Sequence, residues 1–339
     1  MKKFLSLLLV IAMVFALASC AENTTEPTAE PTAEPTEAPY ESVHINLAGL
    51  KGATTMGMVK LLDDAENGLT ANEYEFTMGV SADELTPKFL KGEIDIMAVP
   101  TNLGSVLYNK TEGKVTLLAA TTLGLIYVCE KGGDTVTDIA SLKGKTIYAT
   151  GKGTTPEFAL TYLLAQNGLD IEKDVTMEWK SEPTEVVAAL KTQDAGVAMI
   201  PQPFVTVAQG QVEGLKVALN LTKEWDGLND GTSFVTAGLV VRTEFLEEHP
   251  EAVAKFLEEY SSSVEYVNNN TAEAGALIEK YDIVKAAVAE KAIPYCSIVC
   301  VTGEEMKSRA EGYLKVLFDL KAQSVGGALP ADDFYYTGK

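Results

Sequence analysis

Apolar positions along this chain fall into short blocks that alternate between strand-like and helix-like spacing, and the alternation repeats. Ile45-Asn46-Leu47-Ala48 is a β-prone run that enters the turn Gly49-Leu50-Lys51-Gly52-Ala53-Thr54-Thr55. Helical spacing then carries on to Asn67-Gly68-Leu69. About 100 residues later, Thr146-Ile147-Tyr148-Ala149 enters Gly151-Lys152-Gly153-Thr154-Thr155-Pro156. Phe158, Leu160, Tyr162, Leu163 and Leu164 then run to Asn167-Gly168-Leu169. Strand, glycine-rich turn and helix is the reading for both: Thr155 suits a cap, Pro156 the first helical position, and Gly168 the C-terminal cap.

The continuations match too. Phe76-Thr77-Met78 parallels Val175-Thr176-Met177, and a helix over 83–91 parallels one over 184–191. The strand 94–100 parallels 195–201, and both end in proline. Two βαβαβ units in the same order predict an α/β protein of two similar lobes. Strands at 115–120 and 215–219 extend each unit, and a returning strand is expected at 233–241. Two separate crossings, near 121–127 and 236–240, predict a stiff two-segment hinge with a cleft between the lobes. The boundaries follow: 43–124 plus 238–339 form lobe one, and 125–237 form lobe two. The C-terminal third reads as mostly helical, padding the first lobe and the back of the hinge.

The N-terminus belongs to targeting rather than to the fold. Lys2-Lys3 and the apolar run 4–16 make a signal peptide over residues 1–19, and that run is short for a membrane span. Leu17-Ala18-Ser19-Cys20 resembles the bacterial lipobox, in which the cysteine is lipidated (a palmitate-type acyl anchor) and becomes the mature N-terminus. The plainer alternative is a secretory signal with an incidental cysteine. From Cys20 to Ser42 a Thr-Ala-Glu-Pro repeat without large aliphatic side chains makes an extended tether, reaching about 60–70 Å.

Net charge is −21, or −23 once Lys2 and Lys3 leave with the signal. Such an excess argues against nucleic acid as a partner and against general adsorption to anionic lipid. Cys129, Cys296 and Cys300 are an odd set in an exported chain, so at least one thiol stays free. Buried, unreactive cysteines are the reading, with a bridge between Cys296 and Cys300 left open. With only His44 and His249 as histidines, no metal or other cofactor is expected.

Leu142-Lys143-Gly144-Lys145 before a strand, the Gly-Thr turn, Asn167-Gly168-Leu169, and Phe245 to His249-Pro250-Glu251 resemble a known family. So does Lys91-Gly92-Glu93-Ile94-Asp95-Ile96 followed by Pro100. The family is the solute-binding proteins of nitrate, taurine, aliphatic-sulfonate and thiamine-precursor ABC importers. The resemblance covers about residues 43–260 and implies the type 2 periplasmic-binding fold, with a ligand held between two closing lobes. It implies a lipid-anchored, extracytoplasmic receptor, monomeric, that delivers a small solute to the transmembrane subunit of a permease. Candidate cleft residues are Thr54, Thr55, Met56, Asn102, Thr121, Thr122, Tyr127, Thr154, Thr155 and Gln202, with Lys51 and Lys152 flanking. Hydroxyls and helix starts suit a sulfonate or another small anion. Met56, Tyr127, Phe158 and Phe204 suit a heterocyclic vitamin precursor instead. No catalytic constellation stands out. The competing classes are an enzyme on the same fold, of the thiamine-pyrimidine or menaquinone-pathway type, and a ligand-sensing surface lipoprotein.

Overall fold

The computed structural model describes residues 40–228 and 232–338. The signal peptide, Cys20 and the tether up to residue 39 lie outside the described residues. The first repeat unit runs β1 (His44–Leu50), α1 (Ala53–Met56), α2 (Val59–Glu66), β2 (Glu73–Gly79), α3 (Ala82–Leu90), β3 (Ile96–Pro100), α4 (Thr101–Lys110) and β4 (Val115–Leu123). Gly124 and Leu125 carry the chain to β5 (Ile126–Lys131) of a second sheet. There the pattern restarts with β6 (Thr146–Ala149), α5 (Thr155–Gln166), β7 (Thr176–Trp179), α6 (Pro183–Thr192), β8 (Gly196–Pro201), α7 (Phe204–Gln211) and β9 (Leu215–Asn220). α8 (Leu221–Asp226) leads back to β10 (Val235–Arg242). The C-terminal part holds α9 (Thr243–Glu248), α10 (Pro250–Asn269), α11 (Thr271–Lys280), α12 (Ala286–Ala292), β11 (Ile298–Val301) and α13 (Gly303–Leu320).

The two sheets share one plan. In the first, with order β11-β4-β10-β3-β1-β2, strands β3, β1 and β2 are parallel. β10 lies antiparallel between β3 and β4. In the second, with order β7-β6-β8-β5-β9, strands β7, β6 and β8 are parallel, and β5 lies antiparallel between β8 and β9. Each sheet therefore receives one strand from the opposite crossing. That strand enters at the carboxyl edge of its new sheet, so it runs against its neighbours. β10 is paired from Val235 opposite Leu123, which places Val235, Thr236 and Ala237 in the first sheet.

Packing edits the sequence reading in three places. The helix expected after the Thr54-Thr55 loop instead starts at Ala53 and is broken into α1 and α2 at Gly57-Met58, where α10 packs closely. A Cβ on Gly57 would lie 2.9 Å from the Tyr260 hydroxyl and 3.1 Å from Val264. α5 starts at Thr155, so its cap is Thr154 rather than Thr155. The C-terminal third also contributes β11, which pairs with the outer edge of β4 through Ile298 opposite Thr122. Ile-Val-Cys-Val is too short for its pattern to declare a strand, and the open edge of β4 settles it. Cys129, Cys296 and Cys300 are free thiols, the first two buried. Among the described residues no helix is long and apolar enough to cross a membrane.

Candidate functional site

The carboxyl ends of β1, β3, β6 and β8 and the starts of the helices after them face the seam between the lobes. α4 follows β3 without a loop: Pro100 is its N-cap, no side chain caps it, and its first turn carries no acid. Its first N–H groups and the dipole's positive end are therefore available to an acceptor. α5 differs in carrying an acid, Glu157, in its first turn, whose carboxylate accepts from the Gly153 N–H of the preceding turn.

A continuous chain of hydrogen bonds crosses the seam. Thr155 Oγ1, at the start of α5 in the second lobe, donates to Asn102 Oδ1 on α4 at 3.2 Å, with the Thr236 carbonyl a longer alternative at 3.4 Å. The Tyr313 hydroxyl on α13 donates to Thr155 Oγ1 at 3.1 Å. Asn102 Nδ2 donates to the Ser324 carbonyl at 3.0 Å. Deeper in the first sheet, the Thr122 and Thr236 hydroxyls lie 2.8 Å apart, and Thr236 Oγ1 also donates to the Thr122 carbonyl. All six residues are buried. Burial pushes the Tyr313 phenol well up, so it stays protonated and acts as a donor.

Two hydroxyls at this level are buried without a partner among the described residues: Thr101 Oγ1 and Thr121 Oγ1. Pro100, just before Thr101, pairs with Ala237, and Ala237 pairs with Thr122. Thr101 and Thr121 therefore sit in one layer of three adjacent strands, with backbones about 10 Å apart across two strand spacings. The register between β4 and β10 shifts at this point, placing Thr121 in a bulge, a device that re-aims side chains.

The remaining expected residues hold separate local contacts. Thr55 is buried but donates to the Leu50 carbonyl of its own loop, and Thr154 donates to the Gly151 carbonyl of its own loop. Thr54 is half-buried and Met56 fully buried. Gln202 precedes the N-cap of α7, Pro203, and its Oε1 accepts from Thr206 N and Oγ1. Tyr127 donates to the Tyr295 carbonyl at 3.3 Å, which brings the segment after α12 against the second lobe. A Cβ on Gly52 would lie 3.7 Å from the Phe204 ring, so the lobes meet on this side as well. Lys51 pairs with Asp282 at 3.2 Å, and Lys152 is exposed.

Sequence reasoning misses the Thr236 hydroxyl and Tyr313. Thr236 had a weak signal, a single hydroxyl in the apolar run Val235 to Val241. Tyr313 had none, since its helical spacing reads as core.

The seam's buried lining is hydroxyl, amide and peptide. The buried carboxylates lie elsewhere: Asp95 binds Arg242 at 2.7 Å at the far end of the first sheet, and Glu130 grips the 135–136 loop. A cavity of about 580 Å³ also opens at that far end, beside Lys91, Lys114, Arg242 and Glu244. It mixes both charges, its guanidinium is committed to Asp95 and Glu244, and it is remote from the seam. Among the described residues no cluster of His, Cys, Asp or Glu could hold a metal. What the seam offers among the described residues is hydroxyl, amide and carbonyl donors and acceptors fixed between two lobes, an arrangement that can bind a small polar molecule.

Two lobes of one plan, joined by two crossings and meeting across a polar seam, are the fold of the periplasmic binding proteins. An ABC transporter structure from Parabacteroides distasonis matches at a TM-score of 0.72 with 22% identity, covering 87% of this chain and 99% of that one. The periplasmic aliphatic sulphonate binding protein of Escherichia coli matches at 0.69 with 14% identity, covering 88% and 92%. The ligand-binding component of an ABC-type import system from Staphylococcus aureus, with zinc bound, matches at 0.68 with 16% identity, covering 87% and 97%. In sequence, residues 115–274 match the family model described as NMT1/THI5 like. Among curated proteins none matches this chain.

Proposed function

We propose that this protein is an extracytoplasmic solute-binding protein, acting as a monomer, that captures a small molecule between its lobes and delivers it to an ABC import permease. The observation that carries this reading is the pair of buried hydroxyls without partners, Thr101 and Thr121, beside the uncapped start of α4. A buried polar group left unpaired costs about 1–3 kcal/mol, and such a group in a seam between two lobes asks for a ligand. Asn102, Thr122 and Thr155 frame this place, while Thr54, Thr55, Met56, Tyr127, Thr154 and Gln202 form its rim. Among the neighbours, one is named for aliphatic sulphonates and another holds zinc. A lining of hydroxyls, amides and N–H groups suits an oxygen-bearing solute, such as a sulfonate or a polar heterocycle, and not zinc. The same lining favours binding over an enzyme on this fold. Lipid anchoring at Cys20, with the tether as spacer, belongs to the proposal and fits a receptor that stays beside its permease.

The test is to identify the solute that copurifies, by mass spectrometry, and to titrate it into Thr101→Val and Thr121→Val. Each variant should bind it roughly three- to thirty-fold more weakly with the fold intact. Equal affinity in the double variant would place the solute elsewhere.

A further inference from the structure

We propose that Asn102, Thr155 and Tyr313 are a latch between the lobes, set by Tyr313 as a positioning residue, and not part of the solute's own contact set. The assignment follows from counting hydrogen-bonding capacity. A threonine hydroxyl has one proton to give. Thr155 gives it to Asn102 Oδ1 across the seam and takes the Tyr313 proton in return. Asn102 gives one amide N–H to the Ser324 carbonyl at 3.0 Å. All three side chains are buried, and the side-chain bonds among them run from Tyr313 to Thr155 to Asn102. The seam hydroxyls left without any partner among the described residues are those of Thr101 and Thr121. Closure and recognition are thus assigned to different residues.

Tyr313 is placed for this role by both lobes. Its ring packs 5.5 Å from Trp225 of α8 and 5.9 Å from Phe234 of the second crossing. The turn that follows α13 holds α4: Asn102, Ser105 and Asn109, on one face of that helix, donate to the carbonyls of Ser324, Val325 and Ala328. One C-terminal segment therefore fixes the start of α4 in the first lobe and the Thr155 hydroxyl in the second. Removing the Tyr313 hydroxyl leaves the ring packing in place and frees Thr155 to turn away from Asn102.

The inference rests on the two-lobed receptor reading for its purpose, yet its test needs no solute. Paramagnetic labels at Glu93→Cys on the first lobe and Glu172→Cys on the second, both exposed, report the interlobe distance in the full chain. A Cys300→Ser background removes the half-buried thiol. In solute-free protein, Tyr313→Phe should lower the ratio of closed to open populations about three- to ten-fold. Thr155→Val should do the same, and Tyr313→Phe added to Thr155→Val should change nothing further. An unchanged ratio in Tyr313→Phe, even with a lowered melting temperature, reduces Tyr313 to ordinary core and overturns the latch. Additive effects of the two changes would equally overturn it, since Tyr313 would then act through something other than Thr155. Failure to find any bound solute would sink the receptor reading while leaving these distances informative.

Discussion

Gly124→Ala tests the first crossing at the point where both crossings touch. Gly124 has φ of +88°, and its N–H donates to the Phe234 carbonyl of the second crossing at 2.8 Å. A Cβ there would lie 2.1 Å from Thr222 Oγ1 and 3.0 Å from the Thr222 Cβ and Cγ2. The left-handed backbone costs an alanine about 1–2 kcal/mol. Forcing a methyl against a packed threonine adds about 1–3 kcal/mol. The expected loss is therefore about 3 kcal/mol of unfolding free energy, read from urea titration at constant m-value. Thr222→Ala removes Oγ1 and Cγ2, so the double variant should regain about 1 kcal/mol beyond simple additivity. The backbone share should remain, because no change at residue 222 alters φ at 124. A Gly124→Ala protein within 0.5 kcal/mol of the parent, a margin typical of surface changes, would refute the reasoning. So would strict additivity with Thr222→Ala, since the close approach would then be costless.

Three further outcomes are expected. Burial alone would raise the Glu130 carboxyl, but bonds from the Thr135 hydroxyl and the Val136 and Thr135 N–H groups prevail and hold it below its ordinary value of 4.5. A depressed carboxyl stabilises above its unfolded pKa and loses that contribution as pH falls through the folded one. The parent should thus lose stability more steeply below about pH 4.5 than Glu130→Gln, and parallel acid-unfolding curves would contradict this. Burial pushes the Cys129 thiol up to about 12 and the Cys300 thiol up to about 11. In native protein at pH 8, alkylation mapped by mass spectrometry should find Cys300 first, and Cys129 and Cys296 only on unfolding; early loss of Cys129 would count against its burial. For the anchor, Cys20→Ser should release the protein from membranes or block signal processing, and unchanged membrane partitioning with normal signal removal would reject the lipid.

The repeat of strand, Gly-Thr turn, helix and proline-ended strand was readable in the sequence because every signal in it is local. Period-2 and period-3.6 spacing, Pro156 in the first turn of α5 and glycine at the turns each act within a few residues. That local consistency determined two similar α/β lobes and put Asn102, Thr122 and Thr155 among the candidates, since strand ends and helix starts can be counted along the chain. It could not determine what those side chains do. Thr55 and Thr155 occupy matching turns, yet Thr55 bonds its own loop and Thr155 bonds the opposite lobe. The difference is made by Tyr313, 158 residues from Thr155, and by Ser324, 222 residues from Asn102. The break between α1 and α2 and the edge strand β11 were likewise imposed by α10 and by the open side of β4. Partners so far apart leave no mark on local spacing. A hydroxyl has one proton to place, and only the packed neighbours decide where it goes.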